Sequence, residues 1–505
     1  MVTVAGVSAA IALHYANPHI RKLAVELLRE KFHADVQLAS LEVSIYPVLR
    51  VHGSGLSLRQ ADNPDAPPLF AVRDFSAEAA PLSLFKKPLR ISQVQLRGLA
   101  ITIAPRQGGG KHFDWSKVKD MPVLIDRLTS EDATLEIIPK KANKPHHVYE
   151  IHRLVMRQVG LHHPASFTTE LMNATPPGLI HAQGDFGPWN ADDPGLTPLS
   201  AEYTFKNADL GVFRGISGIL SSDGWFGGVL NEITVGGETD VPDFTVRVSG
   251  HPVHLHTMFS ATVDGTNGNT LLHPVEARFL NSVIIANGEV VKQSGAQGRS
   301  VLLDVTADDA RLEDLMQLAV KADKPIMTGK IKLHTKFDLP PGHQDIMEKL
   351  RLEGRFDVSG GQFTSPATTE KIESLSRRGL GKPKDENAGS AVSNLRGNFG
   401  LRDSVLSLNQ LTFALEGADV KLDGTYGLTS EELDFHGKLF LRAKLSQTMT
   451  GFKSFLLKPF DPFFRKNNLT EIPIKVTGTR KQPSFGPDFH HHQSQSQTSA
   501  AKQGR

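Results

Sequence analysis

Apolar and polar residues alternate along most of this chain. In ADVKLDGTYGLTSEELDFHGKLFLRAKL (418–445), Ala418, Val420 and Leu422 alternate with Asp419, Lys421 and Asp423. Beyond a polar turn, Leu433, Phe435, Leu439, Leu441, Ala443 and Leu445 face one way, and Asp434, His436, Lys438, Arg442 and Lys444 the other. A period of two is that of a strand with one dry and one wet face. The same pattern recurs in RISQVQLRGLAITI, with Ile91, Val94, Leu96, Ile101 and Ile103 largely on one face. It recurs in GKIKLHTKFDL, where Ile331, Leu333, Phe337 and Leu339 alternate with charged and polar residues. Alternation is antiparallel in character, because buried parallel strands read as continuous apolar runs. About twenty such strands are expected, separated by turn residues.

Helical signals are few. The spacing predicts helices over 19–32, about 209–221, 309–321, 367–378 and 447–457. SRRGLGKPKDENAGS (376–390) reads as a surface loop, and the tail after Phe489 as a polar disordered segment. No fixed repeat supports a solenoid or propeller. So few helices cannot cover so many apolar faces. The sheet must curl on itself, pair with a second sheet, or hold an apolar ligand.

The 505 residues carry 56 Lys+Arg against 54 Asp+Glu, a balance without a nucleic-acid footprint. There is no cysteine, which excludes disulfides, thiol catalysis and Cys-containing zinc sites. The first fifteen residues, MVTVAGVSAAIALHY, contain no Asp, Glu, Lys or Arg. A helix of that length spans about 22 Å, short of the roughly 30 Å hydrocarbon core, and no basic leader precedes it. We read 1–15 as the C-terminal part of a membrane anchor whose start is missing, followed by an amphipathic juxtamembrane helix within 16–33.

No catalytic motif survives inspection. GLGK (379–382) lacks the spacing and hydroxyl of a phosphate loop, and Ser217 in GISGI is not a nucleophile elbow. VDGTNGNT (263–270) offers Asp264, Thr266 and Asn267, but reads as a hairpin turn rather than a calcium loop. In HPVHLH, His254 and His256 share a strand face and His251 precedes a proline; a solvated polar face is the expectation, with no metal site and no cofactor. His490, His491 and His492 lie in the polar tail.

Two terminal blocks add a resemblance. VQLASLEVSIYPVLRVHGSGLSLRQ (36–60), with Tyr46-Pro47 ending a strand and Gly53 and Gly55 in the next, precedes FAVRDFSAEAAPLSLFKKPLRISQVQLRGLAITI (70–103). FLLKPFDPFFRKNNLTEIPIKVTGTRKQPSFG (455–486) lies near the other end. Together these blocks resemble the N- and C-terminal regions of the AsmA family of Gram-negative envelope proteins, over about a third of the chain. The resemblance implies an inner-membrane anchor and a periplasmic body, distantly similar to bridge-like lipid transfer proteins. The implied fold is mainly β: an elongated, curled antiparallel sheet forming an apolar groove, with a few short helices. The implied regions are an N-terminal β region (34–205), a middle β-groove region (206–390), a C-terminal β region (391–489) and a tail (490–505).

On this reading the chain is not an enzyme. It binds and conducts phospholipid between inner and outer membrane in support of outer-membrane assembly. Ile91, Val94, Leu96, Ile101, Ile103, Ile331, Leu333, Phe337, Leu339, Val420, Leu422, Leu433, Phe435, Leu439 and Leu441 would line the groove. Leu456, Phe460, Phe463 and Phe464 would close its end or touch a membrane. Expected partners are phospholipids, the inner membrane through the N-terminus, and outer-membrane or periplasmic assembly proteins, with no nucleic acid. The competing expectation is a non-catalytic scaffold or assembly factor for outer-membrane proteins, its sheets sealed by protein.

Overall fold

The computed structural model describes residues 20–26, 28–30, 34–45, 48–60, 68, 70–81, 83, 88–103, 123–137, 147–160, 162–190, 193–265, 267–293, 296, 298–322, 324–382, 392–448, 465–466 and 468–488. The expected anchor (1–15), the tail and Leu456, Phe460, Phe463 and Phe464 lie outside these residues. Among the described residues no helix is long and apolar enough to cross a membrane. The chain is mainly β and divides into two compact units. Unit 1 comprises 1–212, 219–239 and 260–270; unit 2 comprises 213–218, 240–259 and 271–505.

Unit 1 begins with helical residues 20–26 and 28–30 (α1). Its first strands are β1 (Ala34–Gln37), β2 (Ser40–Ser44), β3 (Leu49–Gln60), β4 (Phe70–Ala79), β5 (Leu89–Ile103) and β6 (Val123–Ile137). They are followed by β7 (His147–Gly160), β8 (Ala165–Ala174), β9 (Pro177–Phe186), β10 (Pro198–Asp209) and, after the two-residue β11 (Ile216–Ser217) of unit 2, β12 (Ile219–Val229). β3 pairs with both β1 and β2, and pairing then runs in chain order from β3 to β10 and on to β12. One pair corrects the all-antiparallel expectation: β5 and β6 are parallel. Alternation marks a half-buried strand, and a sheet with one open face permits it in either direction.

The two glycines of the GSG stretch have separate reasons. Gly55 sits at φ +62°, a left-handed backbone that side chains resist. A Cβ on Gly53 would run into the Phe75 ring. Non-glycine residues also take left-handed backbone where the ladders slip: Asn207 lies beside the break at Phe205/Ala208, and Gln410 beside that at Leu408/Leu411. Such bulges increase local twist and bend the strand.

β13 (Glu232–Val246), β14 (Pro252–Val263) and β15 (Thr270–Phe279) contribute residues to each unit. Unit 2 continues with β16 (Ser282–Val291), β17 (Ser300–Arg311), β18 (Met327–Leu339), β19 (Arg351–Phe363), β20 (Ser393–Arg402) and β21 (Val405–Leu415). It ends with β22 (Ala418–Gly427), β23 (Glu432–Leu441), β24 (Arg465–Lys466), β25 (Leu469–Thr479) and β26 (Gln482–Pro487). Antiparallel pairing runs in chain order from β16 to β23, then to β25, which also takes β24 and β26.

Its helices are α2 (Leu312–Ala319), α3 (Ile346–Lys349) and α4 (Pro366–Gly379). α2 and α4 fall within the expected 309–321 and 367–378 to a few residues. The expected helix near 209–221 is corrected: only the single turn Leu210–Val212 is helical there, and Ile219 opens β12. Gly215 and Gly218 take positive φ values of 104° and 136° and break the apparent periodicity. At 447–457 the described part is a short turn, Leu445–Thr448, and 449–457 lies outside the described residues. The expected loop 376–390 begins inside α4, and 383–390 lies outside the described residues.

Candidate functional site: two apolar sheet faces and a polar depression

In unit 1 the register aligns apolar residues laterally. Val43, Val51, Ala77, Val94, Leu128, Met156, Phe167, Gly184, Ala201 and Phe226 are successive cross-strand partners from β2 to β12. Directly opposed residues share a face, so these ten form one row. A second row runs Phe75, Leu96, Ser130, Leu154, Thr169, Ala182, Tyr203. Burial in these rows depends on size. Ala182 and Ala201 are buried, whereas Val94, Leu96, Leu128, Leu154, Met156, Phe167 and Phe226 are only partly buried.

Among the described residues, the helix in contact with an apolar cluster of unit 1 is α1, whose Val25 and Leu28 pack on Val36 and Leu58 at the β1–β3 edge. Ser130 is 0% exposed, and its hydroxyl has no hydrogen-bond partner. Tyr203 lies 6.3 Å from Phe226 between ring centroids and its hydroxyl is 3.2 Å from Ser222 Oγ; burial pushes its pKa up.

Of the residues expected to line a groove here, Ile91, Val94 and Leu96 are partly buried and Ile101 is 37% exposed. The Ile103 side chain lies outside the described set. Sequence reasoning finds β10 as the alternating stretch SAEYTFKNADL but misses the strands that complete the rows, β6 to β9. Leu128, Met156 and Phe167 were legible as alternation in RLTSEDATL, RLVMRQ and ASFTTE, though only the register shows that they adjoin.

In unit 2 the dry face is closed at one end. Ile331, Val358 and Leu395 are successive partners, as are Phe413, Val420, Leu439 and Ile472. Ile331, Val420, Leu422, Phe435, Leu439 and Leu441 belong to one buried cluster with Ala307, Ala310, Val358, Val392 and Leu415. Leu312, Leu315 and Met316 of α2 and Ile372 and Leu375 of α4 pack against it.

These six residues, expected to line a groove, are 2–8% exposed and packed within this cluster. Helices supplied by the β17–β18 and β19–β20 connections reach the cluster. Polar clamps hold α2: buried Asp314 accepts from Ser282 Oγ at 2.8 Å and Asn281 N at 2.9 Å, and Glu313 accepts from Gly329 N at 3.1 Å. Leu333, Phe337, Leu339 and Leu433 remain only partly buried, as do Leu303, Leu352 and Leu406 in the row through Phe337 and Leu433.

The wet faces carry the ionisable groups. Asp240 meets His254 Nε2 at 2.5 Å and His256 Nδ1 at 3.7 Å, a carboxylate that sequence spacing had not revealed. His334 pairs with Asp304 at 3.0 Å. His436 lies between Asp488 (2.6 Å) and Asp434 (3.0 Å), and the hydrogen bond to Asp488 raises its pKa above the ordinary value. Among the described residues no cluster of three or more His, Asp or Glu could hold a metal. Asp264 and Asn267 form the expected turn, their side chains joined at 2.5 Å, with Gly268 N donating to Asp264 O.

Two depressions lie on the wet faces. One of about 1100 Å³ in unit 1 is lined by residues including Arg127, Arg153, Arg157, Thr168, Glu202 and Trp225. One of about 870 Å³ in unit 2 is lined by residues including Lys332, His334, Arg355, Asp357 and Arg396. Compared with protein-family profiles, curated proteins and solved structures, the chain finds no match in any of the three.

Proposed function

We propose that this chain is a non-catalytic lipid-binding protein of the Gram-negative envelope, tethered to the inner membrane by its N-terminus. Its apolar sheet faces hold phospholipid acyl chains on their way between the inner and outer membranes. The observation that carries this reading is the lateral row in unit 1, Val94–Leu128–Met156–Phe167, partly buried along its length. Soluble proteins rarely leave such a contiguous apolar surface unmatched.

An acyl chain laid across such a row gains about 0.8 kcal/mol per buried CH₂. These contacts are non-directional, so a lipid slides between equivalent positions without breaking specific hydrogen bonds. The Lys- and Asp-bearing wet faces keep the protein in water. The closed cluster of unit 2 favours a second reading for that unit, a structural scaffold that positions partners in outer-membrane assembly.

Solvent extraction of the purified full chain followed by mass spectrometry tests the proposal. Phospholipid should co-purify, and Met156→Asp combined with Phe167→Asp should release it with the far-UV circular dichroism unchanged. A wild-type protein free of lipid, or a double variant that retains it, overturns the lipid reading.

A further inference from the structure

The polar depression of unit 1 contains a charge arrangement that the lipid reading does not use. Arg127 on β6 and Arg157 on β7 are direct cross-strand partners. Like charges placed so are destabilising, and sheets ordinarily pair them with opposite charges instead. The neighbouring strands follow that rule. Arg50 pairs with Glu78 at 2.8 Å, Arg90 with Asp126 at 2.8 Å, Arg97 with Glu131 at 3.5 Å, and Arg73 with Asp132 at 3.8 Å. The described carboxylates of β6 are thereby committed to arginines of β4 and β5.

Arg153 is the cross-strand partner of both Glu131 and Glu170. Glu131 lies with Arg97, and Glu170 with His181 at 3.7 Å. Among the described residues, none of Arg127, Arg153 and Arg157 makes a side-chain hydrogen bond or ion pair. Two guanidiniums without an opposed carboxylate, Arg127 and Arg157, therefore stand on one wall of a depression of about 1100 Å³, where Arg153 faces Glu131 and Glu170 across its two ladders and the next strand, β8, contributes Ser166, Thr168 and Glu170.

We propose that this wall binds a compact dianion of the phosphate monoester class. Side chains directly opposed across a pair start about 5 Å apart, within reach of one tetrahedral oxyanion for two arginines. Each guanidinium offers a planar fork of donors, and the hydroxyls of Ser166 and Thr168 supply further ones. Two adjacent positive charges match a dianion better than a lone carboxylate.

Asp185 on β9 and Glu202 on β10 line the far wall, two and three strands from Arg157. At about 4.8 Å per strand they are roughly 10–14 Å away, too far to neutralise it directly. They disfavour a polyanion, whose successive phosphates would run over them. The phosphate could come from a lipid headgroup or from a soluble phosphorylated compound.

The test uses the purified full chain and two probes, inorganic phosphate and phosphatidylcholine vesicles with and without phosphatidic acid, with single-stranded DNA as a polyanion control. Phosphate should raise the melting temperature above that in chloride at matched ionic strength. Arg127→Gln with Arg157→Gln should weaken phosphate binding at least tenfold, while Arg97→Gln, whose arginine is already paired, should change it less than twofold. The double variant should melt no lower than wild type, since a like-charge contact is removed.

Binding of free phosphate identifies a soluble source. Arginine-dependent binding confined to phosphatidic acid vesicles identifies a headgroup. No binding of either probe overturns the proposal, as does equal loss in Arg97→Gln. Tighter, equally arginine-dependent binding of single-stranded DNA overturns the compact-dianion assignment. If the double variant is insoluble, absence from the wild type of both a phosphate effect beyond chloride and a preference for phosphatidic acid vesicles overturns it.

Discussion

Unit 1 and unit 2 have the same kind of strand, and they treat its dry face differently. In strands β6 to β10 of unit 1 the nine-tenths-buried residues are small, including Ala133, Ala165, Ala182 and Ala201, while Leu128, Met156 and Phe167 keep part of their surface in contact with solvent. In unit 2 large residues such as Ile331, Leu439 and Leu441 are nine-tenths buried or more. α2 and α4 account for the difference, since they pack against the cluster that contains these residues. Alternation thus produces an apolar face but does not decide whether that face becomes a core. Cover decides it, and cover comes from the connections between strands.

The largest expected effect is on the buried face of unit 2. Leu439→Asp places a charge in the cluster and should cost several kcal/mol, lowering the melting temperature drastically or leaving no folded protein. Leu128→Asp in unit 1 leaves the carboxylate partly in water and should cost much less, about 1–2 kcal/mol by denaturant titration. Equal destabilisation would mean that both faces are cores. Lys438→Asp on the wet face of β23, which breaks a 2.6 Å pair with Glu471, calibrates the lower end at about 1 kcal/mol.

Truncation sharpens the contrast without charge. Ile331→Ala should cost about 2–4 kcal/mol, because the site is enclosed and leaves a cavity. Met156→Ala removes a partly exposed side chain and should cost about half as much or less. Urea unfolding of both variants measures the ratio, and a ratio near one would remove the distinction.

A third prediction runs in the opposite direction. Ser130 sits in the second row of unit 1 with its hydroxyl buried and unpaired, so Ser130→Ala should stabilise by about 1 kcal/mol. A destabilised alanine variant would mean that the hydroxyl has a partner in solution.

The smallest effect is pH-dependent and belongs to unit 2. His436 is held by Asp488 and Asp434, with Lys475 and Asp423 as its cross-strand partners on β25 and β22. Its pKa is raised, chiefly by the hydrogen bond to Asp488. A raised folded-state pKa means that the folded state holds the proton more tightly. The stabilisation is therefore complete below the unfolded value of about 6.5 and is lost as pH rises through the folded value. His436→Gln should flatten stability against pH across that window, as followed by chemical denaturation. A slope that persists in the variant would assign it to another group.

The strand content, the wet and dry faces and the positions of α2 and α4 to a few residues were determined by the sequence alone. Side-chain periodicity is a local property, and Asp345 at the start of α3, Pro366 at the start of α4 and the turn glycines act within a few residues of themselves. The tertiary structure decided what local pattern cannot encode. It made β5 and β6 parallel, set Val94 beside Leu128 and Met156, and brought α2 and α4 onto Leu439 and its neighbours. It also set Arg127 against Arg157 and brought Asp488 to His436, 52 residues away. These contacts depend on register and on where a connection folds back, and both are fixed by burial summed over many strands rather than by any single stretch of chain.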